Sequence, residues 1–365
     1  MRPITRSPGA VLVGMMAALV FGPALAGSLD PPGPPAPTMK TLLEVEPRIP
    51  VEWLPGSATA MHVITAPGSY ILTGNITAAG DVAAIEVASD NVTIDLNGFA
   101  LLAEGGGTAS AIDFSAEQHS IAIRNGTIKG WGAHAIRGWN CKDCQVRRIL
   151  ATDNGAAESV AVIQLGESAT VSECTVGNVS YTGIQVSAGS LIEDCLAIWC
   201  GQGFELSGEN FTIVRSVARY NSGYGTYLQR SGIVEDCVSE GNQIGIYTGN
   251  AVRVVRNTVS NNTVFGILVG GFHNLVADNL VNGHSAAGVK ILPGLAGVVL
   301  TRNQFVGNGI GVEVQDVAGN LIVGNTASGN GTDYNVSAAN ALGEVHDFTG
   351  GGTISLSAPW ANLRY

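Results

Sequence analysis

Apolar and polar positions recur along this chain in a fixed motif, Gly-apolar-x-apolar, from about residue 84 to about residue 336. The clearest copies are Gly183-Ile184-Gln185-Val186, Gly203-Phe204-Glu205-Leu206, Gly225-Thr226-Tyr227-Leu228 and Gly245-Ile246-Tyr247-Thr248. Gly266-Ile267-Leu268-Val269, Gly288-Val289-Lys290-Ile291 and Gly311-Val312-Glu313-Val314 continue the series. Successive glycines lie 20, 22, 20, 21, 22 and 23 residues apart. Looser copies begin at Ala84, Ala111 and Ala135. A period of this size predicts a stack of equivalent coils.

A second landmark is an apolar stretch ending at a small or amide residue: Asn125, Ile149, Cys174, Cys195, Ser216, Cys237, Asn257, Asn279, Asn303 and Asn325. About five residues later stands a turn signal, often Asn, as at Asn221, Asn242, Asn262, Asn308 and Asn330. The runs between are too short for helices and rich in Val, Ile and Thr, so each coil holds two or three strands. One coil cannot bury its apolar face, but stacked coils share a core. The expectation is an all-β solenoid of about eleven parallel coils, roughly 50 Å long at strand spacing.

The pattern Gly309-Ile310-Gly311-Val312-Glu313-Val314, followed by Asn320-Leu321-Ile322-Val323-Gly324-Asn325-Thr326, resembles the right-handed parallel β-helix repeat. Pectate-lyase-like proteins and periplasmic copper-binding β-helix proteins share that repeat. The flanks, Pro37 to Leu42, Gly68 to Ile76 and Pro359-Trp360-Ala361-Asn362, resemble a group of secreted bacterial β-helix proteins with no agreed activity. The resemblance implies shape and location more than chemistry. The chain is expected to divide into a signal peptide at 1–26, a Pro-rich spacer and N-terminal cap at 27–68, the β-helix at 69–336 and a C-terminal cap at 337–365. Trp53 and Leu54 are expected to plug one end, and Phe348, Trp360 and Tyr365 the other, because a solenoid must cover its strand edges.

Stacking turns sequence positions into columns. The residue before each second landmark gives Arg148, Glu173, Asp194, Arg215, Asp236, Arg256, Asp278 and Arg302, alternating in sign from Asp194 onward. This reads as a structural charge ladder at a corner. A sharper reading makes Asp194 and Asp236, roughly 9–10 Å apart, a pair of catalytic acids. Arg215 between them opposes it, because a cation holds both carboxyls ionised. The variable tetrad residue gives an outward column: Arg137, Gln164, Gln185, Glu205, Tyr227, Tyr247, Leu268, Lys290 and Glu313. Tyr181, Trp199, Tyr220 and Tyr224 gather beside it. Tyrosines next to amides and a carboxylate suit sugar rings. Gln185, Glu205, Tyr227, Tyr247, Trp199 and Tyr224 are therefore the candidate ligand-binding residues, although exposed aromatics also form strands without any ligand.

Composition narrows the choices. The chain has 29 acidic and 18 basic side chains, and loss of Arg2 and Arg6 with a leader would leave 16 basic. No basic stripe appears, which speaks against nucleic acid. Arg2 and Arg6, the apolar run from Ala10 to Phe21 and the small-residue site Ala24-Leu25-Ala26 read as a signal peptide. The protein is then expected outside the cytoplasm, secreted, periplasmic or on the cell surface, with no membrane span once the leader is removed. Cys174, Cys195 and Cys237 share one repeat position, so they are either buried thiols or, for Cys174 and Cys195, a bridge between coils. Cys141-Lys142-Asp143-Cys144 is a surface turn or a local bridge, and the sequence leaves the state of Cys200 open.

Enzyme signatures are missing. There is no Asp-Asp pair, no Gly-His-Gly and no Asp-Pro-His; Gly283-His284-Ser285 is the closest fragment. The six histidines fall at unrelated repeat positions and read as solvated turn residues, with His134, Arg137 and Asp113 able to meet on neighbouring coils. Copper loading needs Met, His or Cys clusters, and beyond the leader only Met39 and Met61 remain. No metal or cofactor is expected, and no catalytic residue stands out. The sequence favours an exported carbohydrate-binding or surface-interaction protein. It leaves open a lyase or glycoside hydrolase with an unrecognised site, and a structural spacer without ligand.

Overall fold

The strands form because the inward positions are apolar and the outward ones are not. In one turn they are Thr182–Val186, Leu191–Glu193 and Leu196–Ile198. Ile184, Val186, Ile192 and Ala197 are fully buried, while Gln185, Glu193 and Ile198 are half-buried on the outside. Each strand pairs in parallel with its equivalent one turn on: Ile184 with Phe204, Ile192 with Ile213, Ala197 with Ala218. Three parallel faces result, called here the tetrad face, the second face and the third face. The computed structural model describes residues 47–105, 107–155, 161–315, 319–353 and 358–365. The expected leader and most of the spacer, with Met39, lie outside the described residues.

The protein is an all-β parallel solenoid of about thirteen turns. Among the described residues the one helical element is a 3-10 turn, Val51–Trp53. The eleven expected turns are present, and one more stands at each end. Ala60–Ile64 precedes the first expected coil, with Val63 opposite Glu86, and Thr332–Val336 follows the last, with Asn335 opposite Glu313. Neither carries the tetrad glycine, so the motif conceals them. The solenoid thus begins inside the segment expected as cap.

The tetrad glycine is demanded by space. A Cβ on Gly245 would lie 2.5 Å from the carbonyl oxygen of Gly266 and 2.7 Å from Nδ2 of Asn262. On Gly225 it would lie 2.6 Å from the Gly245 oxygen and 2.7 Å from Asn242 Nδ2. Glycine is the residue that lets one coil settle on the next at this point.

The amide it accommodates belongs to a buried ladder. Asn221, Asn242 and Asn262 pass side-chain hydrogen bonds upward, with Nδ2 of Asn221 donating to Oδ1 of Asn242 at 2.8 Å and Asn242 to Asn262 at 3.0 Å. Asn308 donates to Asn330 at 2.9 Å. A second ladder runs through Asn257, Asn279, Asn303, Asn325 and Asn362, each Nδ2 donating to the next Oδ1 at 2.9–3.0 Å. Each rung's main-chain N–H donates to the same oxygen, as Asn279 does to Asn303 at 3.1 Å. Every rung so satisfies polar groups that would otherwise be buried without partners. Earlier positions of this ladder are Cys174, Cys195, Ser216 and Cys237, all buried. One landmark shifts by a residue: Ile149 lies opposite Gly126, which places Asn125 opposite Arg148.

All six cysteines are buried thiols. Burial pushes the Cys237 thiol up to about 11 and that of Cys200 to about 12, so both stay protonated and unreactive.

The ends differ from the expected plugs. Val51 is fully buried and Leu54 packs on the core, but Trp53 is 66% exposed. At the other end Trp360 and Tyr365 are exposed, and Tyr334 is the aromatic that closes the core, its hydroxyl donating to the Asn325 carbonyl at 3.1 Å. Closure at this end comes from strands. Ala341–Leu342 pairs with the last second-face strand, and Asn362–Arg364 with the last third-face strand.

Candidate functional site

The tetrad face runs through every turn of the solenoid, and its outward column keeps strict register. Glu86, Asp113, Arg137, Gln164, Gln185, Glu205, Tyr227, Tyr247, Leu268, Lys290, Glu313 and Asn335 stand one above another. Side chains on a rigid strand are held apart at the coil spacing of about 4.8 Å, which is what positions them for a long ligand.

The column divides into three stretches. At the start, Arg137 holds Asp113 in a parallel two-point contact, Nε to Oδ1 at 2.6 Å and a terminal nitrogen to Oδ2 at 2.5 Å. A polar row follows: Gln164 donates to Gln185 at 2.7 Å, and Gln185 donates to one oxygen of Glu205 at 3.1 Å. Thr182 donates to the other Glu205 oxygen at 3.1 Å. Next comes a tyrosine cluster. Tyr227 and Tyr247 stack at 4.8 Å between centroids, and Tyr224 meets them tilted at 5.3 Å and edge-on at 5.6 Å. Burial raises the pKa of Tyr227 and Tyr247 above the ordinary phenol value, so both hydroxyls keep their protons. None of the three hydroxyls has a hydrogen-bond partner among the described residues. Beyond, Leu268 is buried and Lys290 pairs with Glu313 at 3.1 Å.

Five of the six candidate ligand residues, Gln185, Glu205, Tyr224, Tyr227 and Tyr247, therefore share one stretch of one face. Trp199 does not join them. It adopts a left-handed backbone (φ 54°) at the corner ending the third face, as does Tyr220 (φ 53°). That turn directs it to a shallow cleft beside Thr175, Asn178 and Ile198 of the third face.

The corner charges lie between the second and third faces, away from this column. Arg148, Glu173, Asp194, Arg215, Asp236, Arg256, Asp278 and Arg302 all have φ between 49° and 58°. Each turns the chain in a single left-handed residue, a conformation that costs an L residue energy. The ladder is a set of separate two-coil clamps. Arg215 donates to both oxygens of Asp194 (2.8 and 2.9 Å) and reaches Glu193 at 3.1 Å. Arg256 does the same to Asp236 (3.0 and 3.3 Å) and contacts Glu235. Arg302 grips Asp278 at 2.7 and 2.8 Å. These guanidiniums hold Asp194 and Asp278 below the usual carboxylate range, which removes them as proton donors.

The histidines need correction. His284 is 1% exposed and occupies an asparagine rung: Asn262 N–H donates to its Nδ1 at 3.1 Å, and its own N–H donates to Asn308 Oδ1 at 3.1 Å. His134 is also buried, with Nδ1 against the Ala161 carbonyl at 2.5 Å. Desolvation lowers the pKa of both. Neither is a solvated turn residue, and neither contacts Asp113 or Arg137 by hydrogen bond. Among the described residues no cluster of three or more His, Cys, Asp or Glu could hold a metal ion.

One surface feature has no counterpart in the columns. Between Gly138 and Lys142 the strand Ile136–Lys142 slips against its neighbour, where only Leu165 to Glu167 lies opposite. The bulge throws out Trp139, 63% exposed, between two clefts. Its sequence signal is the interval from Arg137 to Gln164, 27 residues, a length matched in the column only by Glu86 to Asp113.

Three parallel faces, inward apolar columns and buried amide ladders define a right-handed parallel β-helix protein. The sequence matches the right-handed β-helix region family over residues 160–305 and 242–347, more than half of the chain. The chain belongs to that family, and the pectate-lyase-like resemblance fits it. No curated protein matches the sequence. Among solved structures, the chain is similar to the A-module of mannuronan C-5 epimerase AlgE4 from Azotobacter vinelandii, at 15% identity and TM-score 0.51, covering 82% of this chain and 84% of that one. It is also similar to PfbA, a surface adhesin of Streptococcus pneumoniae, at 10% identity and TM-score 0.52, covering 73% and 82%. At such identities the likeness concerns the fold. No helix among the described residues is long and apolar enough to cross a membrane.

Proposed function

We propose that this is an exported carbohydrate-binding protein whose ligand, a polysaccharide or a cell-surface glycan, lies on the tetrad face around Glu205, Tyr227 and Tyr247. The observation that carries the reading is the tyrosine cluster, whose three hydroxyls have no hydrogen-bond partner among the described residues. It directly continues the Gln164–Gln185–Glu205 row. Aromatic faces cover the apolar side of a sugar ring, and planar amides and carboxylates bind its hydroxyl rim. Export rests on the leader-like residues 1–26, followed by the spacer and the caps at 27–68 and 337–365. The fold is shared with a mannuronan epimerase and a surface adhesin, in keeping with a role outside the cytoplasm.

A glycan array tests the reading. The wild-type chain is expected to retain at least one polysaccharide. Tyr227→Ala with Tyr247→Ala should weaken it about tenfold or more, equivalent to about 1.4 kcal/mol. Tyr227→Phe, which keeps the stack, controls for folding. Binding that survives the double alanine variant places the ligand elsewhere.

A further inference from the structure

Building on that reading, we infer that the ligand is an uncharged polysaccharide and that Trp139 is a second contact for it, four coils from the tyrosine cluster. The electrostatics of the face come first. Its column carries two cations, Arg137 and Lys290, against four carboxylates, Glu86, Asp113, Glu205 and Glu313. Both cations are already taken, Arg137 by Asp113 and Lys290 by Glu313. Among the described residues Glu205 pairs with no cation: it accepts from the Gln185 amide and the Thr182 hydroxyl. A polyuronate laid here would meet no spare positive charge and two uncompensated carboxylates, Glu86 and Glu205, at a spacing where like charges repel.

Trp139 extends the same surface. It stands two residues beyond Arg137, and residues i and i+2 of a strand share a face. The cleft on one side joins it to Arg137 and Ser115, that on the other to Glu117, Lys142 and Ser187. Lys142 is paired with Glu117 at 3.0 Å and Glu167 lines the same cleft, so here too no spare cation is offered. Closed ion pairs still present outward donors and acceptors, which suit hydroxyl groups. An indole 63% exposed at a bulge offers a flat apolar platform at large solvation cost, and bulges recur where a side chain is re-aimed for use. From the Arg137 rung to the Tyr227 rung is four strand spacings, about 19 Å. A polymer bridges that distance; a monosaccharide does not.

Affinity electrophoresis of the full chain against soluble polymers decides the matter. The neutral probes are a β-glucan and a galactomannan; the charged probes are polygalacturonate and alginate, each with and without calcium. The expected result is retardation by a neutral polymer, little changed by salt, with Trp139→Ala weakening it about tenfold and Trp139→Phe restoring most of it. Retention by a polyuronate that weakens with salt would overturn the uncharged ligand while leaving the carbohydrate reading intact. Neutral binding unaffected by Trp139→Ala would overturn the second contact alone. No retardation by any polymer, together with an empty glycan array, would overturn the reading beneath both.

Discussion

Residues Arg256 and Asn257 are neighbours in sequence, as are Asp278 with Asn279 and Arg302 with Asn303, yet the two members of each pair do opposite things. The first turns the corner and ends in solvent, clamped to a charge on one adjacent coil. The second points inward and ties its own coil to the next through both backbone and side chain. Both columns have the same period and both are hydrogen-bonded. The difference is burial: an exposed ion pair exchanges water for a partner at little net gain, whereas a buried amide without its partner bears the full desolvation cost. Regular repetition in sequence is therefore no measure of energetic weight.

The largest expected effect lies where the buried column meets the backbone. Gly245→Val should lower stability by about 3 kcal/mol, seen as a shift of the urea midpoint, because its Cβ would meet the Gly266 oxygen, Val259 and Asn262 at 2.5–2.7 Å. A neutral result would mean that the coils are more loosely stacked than their register implies. Asn279→Ala removes the acceptor for two donors of Asn257 and should cost about 2 kcal/mol; Asn279→Ser, which matches the residue at Ser216, should cost less. His284→Asn probes the ladder by titration. The pKa of His284 is lowered in the fold, so the unfolded chain binds its proton first as pH falls. Stability then declines below about 6.5. The variant should flatten that decline in denaturation midpoints measured from pH 7.5 to 5, leaving the share due to His134. Arg256→Ala, in the exposed column, should leave the midpoint within experimental error; a clear loss would put the corner clamps on a par with the buried rungs.

The fold was legible because its spacing is set by hard contacts. From Gly183 to Gly311 glycine recurs where a Cβ would meet the next coil, and asparagine recurs where a rung must both accept and donate. What escaped was whatever obeys the period under another guise or breaks it. His284 fills an asparagine rung through its ring nitrogens, so residue type concealed its place. The end turns at Val63 and Asn335 lack the glycine by which the motif is recognised. Trp199 sits close to the tyrosines in sequence but leaves their face through a left-handed residue. Trp139 belongs to no column because a bulge is by nature out of register, and only the long interval around it hinted at one. The closing segment was expected to plug the core with aromatics. Instead Pro359-Trp360-Ala361-Asn362 delivers one more asparagine.

That final asparagine gives the ladder an ending. Asn362 accepts from Asn325, and its own Nδ2 turns to the carbonyls of Ile322 and Gly343 instead of to a further rung. Interior asparagine rungs are interchangeable, each presenting the same acceptor below and the same donors above, so a whole repeat added or removed among them would rejoin without a loose end. A chain with one interior repeat more or fewer is thus expected to fold, provided it keeps the tail whose Asn362 ends the ladder.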